Sequence, residues 1–236
     1  MLDRVQGELR PLAKAAKKGT SPLLTGLSGY WKLDESSGDA VDSSGGGLTL
    51  TNVGTLTYAA GKINNGATYA VGKYHSRADE AALRASLNMT LSGWFKTSAG
   101  GTQALFSKDD GSGTDREYIV FISAGGVQFY IFDAAGASSN VTTAASSYGD
   151  GAWHYVVASV LNGKARIAMD GGAFRLGAAT IASVTATPTA PFLLGRRSTS
   201  VLSLTGMLDE CGLWQRAWDD SDIALGWNSG SGRTPF

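Results

Sequence analysis

The sequence predicts an all-β fold: a two-sheet antiparallel sandwich with jelly-roll connections, preceded by an N-terminal arm and closed by one short C-terminal helix. Three observations carry this expectation. Of 236 residues, 32 are glycine and only 17% are charged, a composition suited to short strands and tight turns, since long surface helices would draw more heavily on Glu, Lys and Leu. From Gly29 onward apolar residues recur at period two, the mark of half-buried strands. Between these runs stand Gly-Gly, Asn-Gly and Asp-Gly pairs, which supply the positive φ angles that two-residue hairpins need.

Taken in order, residues 1–27 read as an arm or linker and residues 28–236 as the domain. In the arm, Leu2, Val5 and Leu9 recur at helical spacing, Pro11 interrupts, and Lys14, Lys17 and Lys18 form a basic cluster. Gly19, Ser21 and Pro22 then punctuate a linker. The arm is either a frayed tail or a segment that anchors or oligomerises the protein by ordering against a partner. The stretch GYWKLDESSGDAVDSSGGG, Gly29–Gly47, opens the domain as a strand ending at Asp34 and Glu35, with Asp42 in the turn that follows.

Met89–Lys96, Glu117–Ser123 and Val127–Asp133 alternate and are rich in aromatic and β-branched residues, with Gly125-Gly126 as the hairpin between the last two. Trp153 to Leu176 reads as a three-stranded meander turning at Asn162-Gly163 and Gly171-Gly172. Phe192–Gly195 and Leu204–Trp214 complete the strands. After them Asp219 can cap a short helix, Asp222 closes a capping box, and Trp218 and Ile223 form a hydrophobic staple.

Composition narrows the function. Formal net charge is zero, which excludes a nucleic-acid partner held by phosphate electrostatics. No apolar run approaches the roughly 20 residues that span a bilayer. The N-terminus lacks the apolar core and small-residue cleavage site of a signal peptide, so the chain is expected either to be a fragment or to bypass general secretion. The single cysteine, Cys211, is read as a small buried hydrophobe.

The chain is not expected to be an enzyme. Retaining glycosidases need two carboxylates roughly 5 Å apart. Asp34-Glu35 and Asp209-Glu210 are adjacent, and neighbouring side chains on a strand point to opposite faces. Asp115-Arg116-Glu117 lies at a strand start. His154 has no accompanying nucleophile and is assigned a hydrogen-bonding role in the scaffold. Sugars stack on aromatics; the candidates for such a platform are Tyr74, Tyr130 and Tyr148, with His75 beside Tyr74 as an exposed rim residue.

GYWKLDESSG…DSSGGG, GATYAV, LSGWFKT, LFSKDD, WHYVVASV…NG…RIAMDGG, PFLLGRR and GMLDECGLWQRAWDDSDIALGWNSGSG follow one another in order over about residues 28–231. This succession resembles the laminin-G-like branch of the concanavalin A-like lectin/glucanase superfamily. The resemblance implies two curved antiparallel sheets, one of them often ligand-facing. It also implies a structural calcium in several members, which here would use Asp209 with Asp42; no other cofactor is expected. It leaves function open, because the fold hosts lectins, glycosidases, adhesion modules and structural domains.

The expectation is a non-catalytic structural or adhesion module with a possible glycan ligand, set in a bacteriophage virion as a capsid decoration, tail or fibre component. The arm would dock it on other virion or surface proteins as a homo-oligomer. The alternative is a carbohydrate-binding domain of a secreted bacterial protein, at the cell surface or outside the cell.

Overall fold

The computed structural model describes residues 21–111, 115–124, 126–144, 148–185, 187–198 and 202–236. Residues 1–20 of the expected arm lie outside the described residues. Residues 22–27 do not behave as a linker: Pro22–Leu24 form a 3₁₀ turn with Leu23 buried, and the first strand begins at Leu27.

In chain order the strands are β1 (Leu27–Trp31), β2 (Thr51–Val53), β3 (Thr57–Ala60), β4 (Asn65–Tyr69), β5 (Tyr74–Arg77), β6 (Met89–Lys96), β7 (Gln103–Asp109) and β8 (Arg116–Ser123). They continue with β9 (Gly126–Phe132), β10 (Ser138–Thr142), β11 (Trp153–Leu161), β12 (Lys164–Met169), β13 (Arg175–Leu176), β14 (Phe192–Leu194) and β15 (Gly206–Trp214), followed by helix α1 (Asp220–Trp227). The eight-stranded sheet runs β13-β12-β11-β6-β15-β4-β3, with β1 also paired to β15; the seven-stranded sheet runs β10-β9-β8-β7-β14-β5-β2. The strand pairs are antiparallel. Two sheets packed face to face, with partners distant in sequence, make the expected sandwich.

The Asn162-Gly163 turn forms as predicted, with positive φ at both positions, the requirement of a type I′ hairpin. The turn expected at Gly171-Gly172 is centred one residue earlier, on Asp170 and Gly171, and Gly125 of the third expected turn lies outside the described residues. The short strands β2 to β5, together with β7 and β10, went unpredicted. Most are three to five residues rich in Gly, Ser, Thr and Asn, and β7 ends in a Lys-Asp pair that reads as a loop.

The two outer faces of the sandwich are treated differently. On the eight-stranded sheet, Tyr30, Trp94, Tyr155, Trp214, Trp218 and Ile223 form a buried cluster beneath α1. The Trp214 and Trp218 rings meet edge to face at 4.5 Å, and the Trp214 indole donates to the Leu23 carbonyl at 2.6 Å. The capping box is present: Asp219 accepts from the Ser221 and Asp222 amides while Asp222 accepts from the Asp219 amide. A buried ring of this size removes roughly 150–250 Å² from water, about 4–6 kcal/mol at 25 cal/mol/Å². A cap contributes about 1 kcal/mol. Burial therefore holds the helix down, and the cap sets where it begins.

Two polar groups are enclosed with their partners. His75 is not the exposed rim residue expected from its sequence context: it is fully buried. Its Nδ1 lies 2.7 Å from the Tyr69 hydroxyl and its Nε2 3.1 Å from that of Tyr58. Since β5 belongs to one sheet and β3 and β4 to the other, the imidazole bridges the sandwich. Lys108, also fully buried, reaches Glu117 at 2.5 Å, Asp79 at 2.6 Å and the Ala190 carbonyl at 2.7 Å.

Both arrangements have measurable consequences. Burial lowers the His75 pKa to about 4, so it stays neutral in the fold while an unfolded chain protonates it near pH 6.5. Stability from this group is present above pH 6.5 and is lost as pH falls through 4. The stability gap between wild type and His75→Gln should therefore shrink by about 3 kcal/mol from pH 7.5 to pH 4; a gap independent of pH would show an imidazole that charges freely. Lys108→Met strands Glu117 without its cation and should cost about 3–5 kcal/mol in urea unfolding. Adding Glu117→Leu should restore most of that loss, and a double variant no better than the single one would refute the pairing.

Candidate functional site

Among the described residues no helix packs on the outer face of the seven-stranded sheet. In β8 and β9 both faces are apolar: Tyr118, Val120, Ile122, Val127, Phe129 and Ile131 pack between the sheets, while Ile119, Phe121, Tyr130 and Phe132 lie on the other side. A strand with a solvated face ordinarily alternates apolar with polar residues. Here Phe121, Tyr130 and Phe132 face outward, with Ile119 and Gln128 beside them.

Register brings these rings together. Ile119 pairs with Tyr130 and Phe121 with Gln128, so Phe121 and Tyr130 are diagonal neighbours. Their rings stack at 5.8 Å and 19°, and Tyr130 stacks on Phe132 at 5.9 Å and 18°. These are favourable offset distances, and the result is a ladder of three nearly parallel rings. Phe132 is buried; Phe121 and Tyr130 are half-buried. Gln128 accepts from the Tyr130 hydroxyl at 3.4 Å and donates to Ser123 Oγ at 2.7 Å.

Strict alternation would turn Arg116 to the same side as Tyr118, into the core. The pairing instead passes from Lys108↔Tyr118 to Asp109↔Arg116, which inserts an extra residue in β8, a bulge that re-aims its side chains. The Arg116 guanidinium accordingly lies 3.7 Å from the Phe132 ring centre, a cation–π contact. It also donates to the buried Asp109 carboxylate, from Nε at 3.1 Å and Nη2 at 3.3 Å. Arg197, from the loop after β14, donates to the same carboxylate at 3.0 and 3.2 Å. The Gly111 amide donates to it at 2.7 Å. Together these residues border an open groove of about 200 Å³ lined by Thr102, Arg116, Ile119, Phe121, Tyr130, Arg197 and Leu202.

Of the residues singled out in the sequence, only Tyr130 is in this groove. Tyr74 is half-buried beneath the Arg196 guanidinium at 4.8 Å. Tyr148 stands edge-on to His154 at 5.0 Å. His154 is held by Asp170 at 2.9 Å and Asp150 at 3.1 Å. These contacts, Asp170 first, raise its pKa. Phe121 and Phe132 lie on strands that the sequence marks as rich in aromatics, without a signal for which side they face. Arg116 was hidden by the bulge and Arg197 by sequence distance.

The residues expected to share a calcium ion are committed separately. Both Asp42 oxygens accept backbone donors, Tyr30 and Ser44 on one and Leu48 on the other, at 2.8–3.1 Å. Asp209 Oδ2 accepts the Lys62 and Ile63 amides at 2.7 and 2.8 Å, and Oδ1 is buried without a partner. Among the described residues no group of three or more His, Cys, Asp or Glu side chains is placed to hold a metal. The Asp42 carboxylate is thus held by its own turn and the strand before it, and that of Asp209 by the turn after β3.

The adjacent acids Asp209 and Glu210 also depart from expectation. Leu208, Cys211 and Leu213 face the core. The extra residue is Glu210, at φ +50°, where the register shifts between Asp209 and Gly212. Asp209 pairs with Trp94, and Glu210 accepts from Tyr30 in the same outer cluster. Both carboxyls therefore lie toward one face, and burial pushes them up, to about 8 and about 7. Both are buried beneath neighbouring segments and neither lines the groove.

Comparison with solved structures places this geometry among known folds. The binding domain of Paraclostridial Mosquitocidal Protein 1 matches with a TM-score of 0.68 at 14% identity, over 87% of this chain and 52% of that one. Domain 4 of AbnA, an extracellular arabinanase from Geobacillus stearothermophilus solved with arabinotriose, matches with a TM-score of 0.65 at 19% identity, over 88% and 98%. The botulinum neurotoxin serotype D binding domain matches with a TM-score of 0.65 at 10% identity, over 86% and 52%. The chain thus spans about half the length of the two toxin domains and nearly all of the arabinanase domain. No curated protein matches the sequence. Residues 70–224 match the laminin-G family model described as the concanavalin A-like lectin/glucanases superfamily. A two-sheet sandwich of this topology, matched by that family model over most of its length, belongs to the concanavalin A-like lectin/glucanase superfamily.

Proposed function

We propose that the protein is a non-catalytic glycan-binding module whose binding surface is the aromatic groove on the outer face of the seven-stranded sheet. The observation that carries this reading is the ladder Phe121–Tyr130–Phe132, whose half-buried rings Phe121 and Tyr130 line the groove on one sheet while the matching face of the other is plugged by α1. A pyranose ring offers an apolar face of C–H groups and a rim of hydroxyls. Aromatic rings match the first, and guanidinium and hydroxyl groups match the second. The groove, at about 200 Å³, is below the roughly 300–1,000 Å³ of drug-sized pockets, which suits one sugar ring of a longer chain. The arabinanase domain with arabinotriose and a neurotoxin binding domain solved with SialylT support a glycan ligand by analogy of fold.

Tyr130→Ala and Phe121→Ala should each weaken glycan binding by about tenfold or more, as removal of an aromatic anchor does. Tyr74→Ala and Tyr148→Ala should leave it unchanged. A glycan array followed by calorimetry makes the comparison; wild-type protein that binds no glycan, or a Tyr130 variant that binds undiminished, removes the reading.

The narrower setting is a bacteriophage virion, with the module docked through residues 1–27. Its support is the helical spacing of Leu2, Val5 and Leu9 and the cluster Lys14, Lys17 and Lys18. It requires a defined oligomer in solution that deletion of residues 1–20 abolishes, measured by mass. An unchanged mass after deletion favours instead a carbohydrate-binding domain of a secreted protein, which uses the same groove.

A further inference from the structure

We infer that the groove selects sugars carrying a carboxylate. This rests on the glycan reading of the same groove and specifies its ligand class. The charged residues lining the groove are both arginines, Arg116 and Arg197. Their shared counter-ion, Asp109, is fully buried below them, so both guanidinium groups share an anion sunk beneath the groove wall. Asp115, just before Arg116, is turned away: its carboxylate accepts from the Thr189 amide at 2.9 Å and hydroxyl at 2.5 Å.

Asp109 engages Nε and Nη2 of Arg116 and Nη2 of Arg197. A guanidinium presents its N–H donors as a planar fork that fits a carboxylate with two parallel bonds, and Arg116 is already fixed by Phe132 and Asp109, so little side-chain freedom is lost on binding.

Geometry relates the charge to the platform. Arg116 lies over Phe132, the ring next to Tyr130 in the ladder. The carboxylate of a hexuronate is carried equatorially on the ring, close to the ring plane. A sugar stacked flat on Tyr130 therefore projects its carboxylate sideways along the ladder, toward the guanidinium. A neutral hexose in the same pose presents a hydroxymethyl group there. A uronate and a sialate share this chemistry, and the protein's preference between them follows from the ring substituents rather than from the arginines.

The test compares each acid with its own methyl ester, which keeps the ring and its other substituents, adds one methyl group and removes the charge. Digalacturonic acid and N-acetylneuraminic acid, each with its methyl ester, are titrated into the full chain by calorimetry and saturation-transfer NMR at low and high salt. The expected result is that at least one acid binds about tenfold or more tightly than its ester, as expected for a charge-assisted pair, and that the advantage narrows as salt rises. Which acid shows the larger advantage identifies the source. Arg116→Gln and Arg197→Gln should remove the preference while leaving ester binding in place; thermal unfolding of each variant confirms that it is folded. Should either variant fail to fold, the wild-type comparison of acid with ester decides alone. Acid and ester bound equally well overturns this inference and leaves the glycan reading standing. Neutral glycans bound on an array with neither acid bound here has the same outcome, whereas no sugar bound at all removes both.

Discussion

Two guanidinium groups, one from the start of β8 and one from the loop after β14, converge on the buried carboxylate of Asp109 at the end of β7. A lone carboxylate in that position would cost several kcal/mol in lost hydration. With two charge-assisted partners and the Gly111 amide it becomes a fixed post, and it is tied at once to segments far apart in sequence. The bulge in β8 is what allows this. Without the extra residue Arg116 would point between the sheets, where its charge would lack a partner. The groove is in this sense a product of the register shift between Lys108 and Asp109.

The sandwich shows how the same chemistry serves two ends. On the eight-stranded sheet the aromatic residues are closed over by α1, and their burial stabilises the fold. On the seven-stranded sheet a smaller aromatic set is stacked on itself and left half-buried. A protein bent only on stability would place polar residues at those outward positions, since stacked rings in contact with water forgo part of the transfer energy. The presence of Arg116 and Asp109 at the end of the ladder adds direction to what would otherwise be a plain apolar patch.

Much of the fold could be read from the chain. Alternation identified β6, β8, β9, β11, β12 and β15, the glycine pairs identified their hairpins, and Asp219 and Asp222 announced the helix cap. The shorter strands escaped because three residues of Thr, Asn and Ala hold too little periodicity to distinguish strand from loop, and they are strands only by virtue of their neighbours. The candidate site was legible in part. Tyr130 stood out as an aromatic beside polar loops, but strict period two could not anticipate the bulge in β8 that re-aims Arg116, nor the one at Glu210 that turns two adjacent acids to one face. His75 misled for a related reason. A histidine in the polar run Tyr74–Arg77 reads as surface, and only the sheet pairing shows two tyrosines waiting for it from across the sandwich.

The seating of Leu23 beneath Trp214, with Pro235 and Phe236 near Tyr30, has a consequence for how the module can be carried. Both ends of the folded body leave from the outer face of the eight-stranded sheet, with the full thickness of the sandwich between them and the groove. A scaffold joined at either end sits behind the module, and the aromatic ladder faces away from its support. Copies mounted side by side would then present their grooves outward together, so that many weak single-site contacts could add into firm attachment.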